Sequence, residues 1–140
     1  MKPLLIFQER YVTISFDATT GIVLLDWHRY ATSKQFRFSL GKLLEFVESQ
    51  SKTTQPICLL ADTVHLGVIS KEDIEWNATE INSRMYEAGV RKVAFILPRN
   101  LFTHLSIDTF QKQTKTEEGQ GIISEIFTDR GSAQQWLNQS

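Results

Sequence analysis

The chain has 140 residues, enough for one ordinary domain with a single sizeable core, and its 41% apolar and 22% charged shares are those of a globular protein. Fifteen basic residues nearly cancel sixteen acidic ones, leaving a formal charge of −1, and no block of like charge stands out, so electrostatics gives no case for a nucleic-acid partner or a charged membrane surface. The lone Cys58 cannot form an internal disulfide, and Leu4 to Phe7 is too short an apolar run for a signal-peptide core or a membrane span; both point to a cytoplasmic domain without integral membrane association.

In chain order, Leu4 to Phe7 reads as a short edge strand. Tyr11 to Asp17 alternates, with Val12, Ile14 and Phe16 on one face and Tyr11, Thr13 and Ser15 on the other, which predicts a half-buried strand at or near the sheet edge. The turn Asp17-Ala18-Thr19-Thr20-Gly21 leads into Ile22 to Leu25, so the two runs form a hairpin. From Thr32 or Ser33 a helix runs to about Ser49, carrying Phe36, Leu40, Leu43, Leu44 and Val47 at helical spacing. Pro56 to Asp62 is a continuous apolar run ending in a carboxylate, the pattern of a parallel strand covered on both faces.

Ser70 followed three positions later by Asp73 resembles a capping box, and Ile74, Ala78, Ile81, Met85 and Ala88 form one apolar stripe before Gly89 stops the helix. Val93 to Leu97, closed by Pro98, repeats the buried-strand theme. A third helix is expected over Ser106 to Thr116, ended by Gly119 and Gly121. Ile122 to Phe127 is a last strand, and Asp129 caps a terminal helix that buries Ala133, Trp136 and Leu137. No repeat, linker or low-complexity stretch divides residues 1–140, which read as one α/β domain. Ile22–Leu25, Ile57–Ala61 and Val93–Leu97 are its central strands. The sheet is mostly parallel with an antiparallel N-terminal hairpin, flanked by about four helices.

Four stretches carry a resemblance that spans nearly the whole chain: Ile22 to Trp27 leading to Phe36, Leu60-Ala61-Asp62 with Leu66-Gly67, Ala88 to Ala94, and Ala133 through Trp136-Leu137. With the order of elements, they resemble the STAS fold of anti-sigma-factor antagonists, and more closely its bacterial SpoIIAA-like branch. The resemblance implies a small sheet-and-helix domain, sometimes compared with lipid-binding folds. None of the four stretches is an enzymatic signature. The signalling antagonists place a phosphorylatable serine beside an aspartate and a glycine where a helix begins. Here Ser70 lies close to that place but is followed by Lys71, Glu72 and Asp73, without the small residues that let a partner approach.

Read from the residues themselves, Ser70 is a helix cap, and Ser70→Asp is expected to be nearly neutral because aspartate also caps. Asp62, His65 and Asp73 match no standard metal-ligand spacing and read as turn and cap residues. His28 and His104 stand apart in loops, Cys58 lies mid-strand, and Gly119-Gln120-Gly121 is too short to cradle a phosphate. No catalytic residue, metal ligand or cofactor is therefore assigned. What stands out is the placement of aromatics. Phe38 lies ~200° from Phe36 around the first helix, and Trp76 ~200° from Ile74 around the second, each opposite its helix's apolar stripe. With Trp27, Tyr30 and Phe102 they form a candidate interaction surface, since aromatics are enriched at interface cores. The expectation is a non-catalytic binding domain engaging a protein partner (itself included) or a small apolar ligand. The alternative is a phospho-regulated antagonist acting through Ser70.

Overall fold

The computed structural model describes residues 3–50, 56–97 and 121–139. Six strands form one sheet in the sequential order β1 to β6: β1 Leu4–Glu9, β2 Val12–Asp17, β3 Ile22–Trp27, β4 Cys58–Asp62, β5 Lys92–Ile96 and β6 Ile123–Phe127. The first three are antiparallel, and β3 to β6 run parallel. The central positions expected for the three apolar runs hold. The edge belongs to β1, the short edge strand expected over Leu4 to Phe7, and the Tyr11–Asp17 strand lies next to it as β2, antiparallel and near the edge as expected. A register shift between Leu5 and Phe7 breaks the pairing of β1, a device that twists an exposed edge away from further pairing.

Between β2 and β3, the Gly21 amide donates to the Asp17 carbonyl at 2.8 Å and the Thr19 amide to the Asp17 carboxylate at 2.9 Å. Gly21 takes φ +75°, which suits glycine. Helix α1, Ser33–Gln50, opens on a reciprocal cap: the Thr32 hydroxyl accepts from the Gln35 amide at 3.2 Å, and the Gln35 side-chain oxygen accepts from the Thr32 amide at 3.0 Å. All five apolar residues expected on its inner face are buried.

The second helical rod comprises α2, Lys71–Trp76, a π-helical turn Asn77–Ile81, and α3, Asn82–Glu87. The apolar stripe from Ile74 to Met85 is buried as expected, and Gly89 ends the rod at φ +107°. The π turn was not expected. Its i→i+5 bond, from the Asn82 amide to the Asn77 carbonyl, brings two side chains that α geometry would hold ~140° apart onto the same buried side.

The α1 and α2–α3 helices pack on one sheet face around Val12, Ile14, Leu25, Leu43 and Met85. The terminal helix α4, Arg130–Leu137, packs Ala133 and Leu137 on the opposite face against Leu60, Ala94 and Ile96. The helix expected over Ser106–Thr116, with Phe102 and His104, lies outside the described residues. No described helix is long and apolar enough to cross a membrane.

Candidate functional site

Ligands on open α/β sheets gather outside the carboxyl ends of the strands. There β3 and β4 carry a matched pair near their ends, Asp26 beside Asp62. Two carboxylates side by side repel, and Arg130 from α4 answers both: its Nε donates to Asp62 at 2.9 Å, and its terminal nitrogen lies 2.9 Å from Asp26. The second Asp62 oxygen accepts from the Val64 amide at 3.2 Å, starting the turn that follows. The Thr63 hydroxyl then donates to the Ile96 carbonyl at 2.8 Å, tying this turn to β5. Gly67 reverses the chain at φ +86°, and the Tyr30 ring stands 3.4 Å from where its Cβ would be.

The loop ends at Ser70, whose hydroxyl accepts from the Asp73 amide at 3.1 Å and caps α2. Asp73 is only 3% exposed. Its carboxylate accepts from the Ser33 hydroxyl at 2.8 Å and from the Arg37 guanidinium at 2.7 Å, joining the starts of α1 and α2. Burial alone would raise its pKa, but hydrogen bonds from Arg37, Ser33 and Ser70, with the charge of Arg37, hold it below its ordinary value. Arg37 also lies 4.9 Å above the Trp76 ring.

Over this network runs a shallow groove of about 70 Å³ with Tyr30 and Val68 among its lining residues, and Ser33, Ser70 and Asp73 supplying its polar groups. Tyr30 is 63% and Val68 64% exposed. A second cavity, also about 70 Å³, lies between the sheet and the helices and shares Phe36, Leu66 and Ile69 with the groove. Its other walls include Leu43, Ile81 and Met85, with Thr63, Asn77 and Asn82 as its polar members.

The sequence-derived surface residues are not gathered in one place. Trp27 is 1% exposed and cannot form part of a contact surface. It is the last residue of β3 rather than part of the following loop, so the strand's alternation turns it inward, stacked on Phe36 with ring centres 5.7 Å apart. Phe38 is exposed, but its ring meets Phe7 of β1, 5.8 Å away, while half-buried Trp76 faces Arg37. Tyr30 stands at the groove, and Phe102 lies outside the described residues. Asp62 and Asp73 are held by different arginines and His65 is exposed. Among the described residues no three His, Cys, Asp or Glu side chains come close enough to hold a metal. Burial pushes the Cys58 thiol up, against the lowering effect of Lys92.

Sequence reasoning missed Val68, Arg37 and Arg130. Val68 carried a signal, an apolar residue directly after the loop glycine. The two arginines reach partners 36 and 68 positions away, which no local pattern encodes.

This sheet order, with its antiparallel hairpin and helices on both faces, is that of a mixed α/β domain, the fold class expected from the sequence. Among solved structures the chain is similar to apo-SiaC from Pseudomonas aeruginosa, at 16% identity and a TM-score of 0.56, over 90% of this chain and 98% of that one. The likeness is one of fold. No protein-family profile matches the chain, and no curated protein does.

Proposed function

We propose that the domain acts by binding, offering the groove at the carboxyl ends of β3 and β4 to an apolar segment of a protein partner. The observation that carries this reading is the pair Tyr30 and Val68, large apolar side chains left mostly in water beside a groove whose polar groups already engage one another. Exposed apolar side chains flanking a concave surface are what a partner covers. The engaged state of Ser33, Ser70 and Asp73 argues for recognition rather than bond-making at this place. It also disfavours the phospho-switch, because a phosphate on Ser70 would meet the Asp73 carboxylate and Glu72.

A photo-crosslinking amino acid placed at Tyr30 or Val68 in living cells tests the reading, with Thr19 in the hairpin turn at the other end of β3 as control. One discrete protein adduct at both groove positions and none at Thr19 is expected. No adduct, or equal adducts at all three positions, would overturn it. A phosphate mass on Ser70 in the protein purified from its own cells would instead favour the switch.

A further inference from the structure

The inner cavity has a chemical character that the groove does not. Among the described residues its walls are apolar except for Thr63, Asn77 and Asn82. The Thr63 hydroxyl is committed to the Ile96 carbonyl, and Asn82 has a partner of its own. Asn77 is 5% exposed, and among the described residues its side-chain amide makes no hydrogen bond. Buried amides in folded chains are almost always satisfied, so one left open toward a cavity calls for an occupant. Asn77 opens the π turn, and such turns occur often at functional sites.

The occupant's chemistry follows from what the walls can and cannot do. About 70 Å³ has room for several waters, but a buried water needs two to four polar partners. Among the described residues that line the cavity, Asn77 is the polar side chain with no hydrogen bond to another residue. A molecule with one polar group and an apolar body satisfies the amide and fills the remainder without stranding further polar atoms. We infer that this cavity is a binding site for a small, largely apolar molecule bearing a single carbonyl or hydroxyl group, which Asn77 holds while Leu43, Ile81 and Met85 enclose the rest. The volume limits the molecule to a short chain or one small ring. The site stands independently of the partner groove, because it needs no protein partner.

The test uses cyclopentanone as the polar-headed probe and xenon as the apolar one, followed by NMR on the whole chain. In the wild type, cyclopentanone should give nuclear Overhauser contacts to the Met85 methyl and the Asn77 side-chain amide. Asn77→Ala, which keeps the cavity apolar, should weaken cyclopentanone by about tenfold, the weight of one buried hydrogen bond, while xenon still binds. Equal cyclopentanone affinity for the wild type and Asn77→Ala would overturn the inference. So would a wild type in which neither probe perturbs Met85, or contacts that fall on Tyr30 and Val68 instead. The wild-type contacts decide the matter even if the variant fails to fold.

Discussion

Asp73 shows how one side chain fixes the groove. The carboxylate ties α1 to α2 through Ser33 and Arg37, and its amide closes the Ser70 cap. Its pKa is lowered in the fold, so its stabilisation is complete above the unfolded value near ~3.9 and is lost as the pH falls through the lower folded value. Asp73→Asn should therefore lower stability by about 2 kcal/mol at neutral pH, and the gap should shrink in acid below about pH 4, as read by urea unfolding across pH. A gap that stayed constant into acid would contradict this role. Ser70→Ala should cost about 1 kcal/mol through the lost cap. Ser70→Asp, expected from the sequence to be nearly neutral, should instead cost at least as much as the alanine change. The Ser70 hydroxyl lies against the Asp73 carboxyl, where a second carboxylate would be repelled. The order of the two thermal midpoints settles this.

Among the elements, α4 is held to the sheet by charge as well as packing. Arg130 clamps the two carboxylates that the β3–β4 register places side by side. Arg130→Gln should cost about 2 kcal/mol, less than a fully buried pair because the arginine is 43% exposed, and amide exchange should quicken first in α4. Unchanged protection of α4 would mean that its packing and the Lys92 bonds to the Trp136 and Gln139 carbonyls hold it without the clamp. The strands were legible from the sequence because continuous runs such as Ile57 to Ala61 have few other places to go. The caps at Ser70 and Asp129 were legible because a cap is a local event. The π turn was not, since shifting a hydrogen bond by one residue leaves the pattern Ile74, Ala78, Ile81, Met85 intact. Nor was the inward side of Trp27, which depends on the strand running two residues past Leu25. The groove was half legible: Tyr30 and Ser70 were singled out, but the pairing of Asp73 with Arg37 joins two helices that only the fold brings together.

For the molecule as a whole, the exposed apolar side chains among the described residues fall into separate groups. Leu4, Leu5 and Phe38 lie on or against the β1 edge, Tyr30 and Val68 at the carboxyl ends of the strands, and Ile123 on β6. The bulged β1 edge is shaped against pairing, which favours the groove over that edge as the proposed docking place. Tyr30→Ser or Val68→Ser should weaken partner binding by about tenfold or more, with little change in melting temperature, whereas Phe38→Ala should leave affinity unchanged. The reverse ranking would move the interface to the β1 side. The most direct measurement is hydrogen–deuterium exchange of the whole domain with and without the partner captured at Tyr30. Binding through the groove predicts new protection confined to residues 63–73 and the start of α1. Protection centred on β1 and Phe38, with residues 63–73 unchanged, would contradict it.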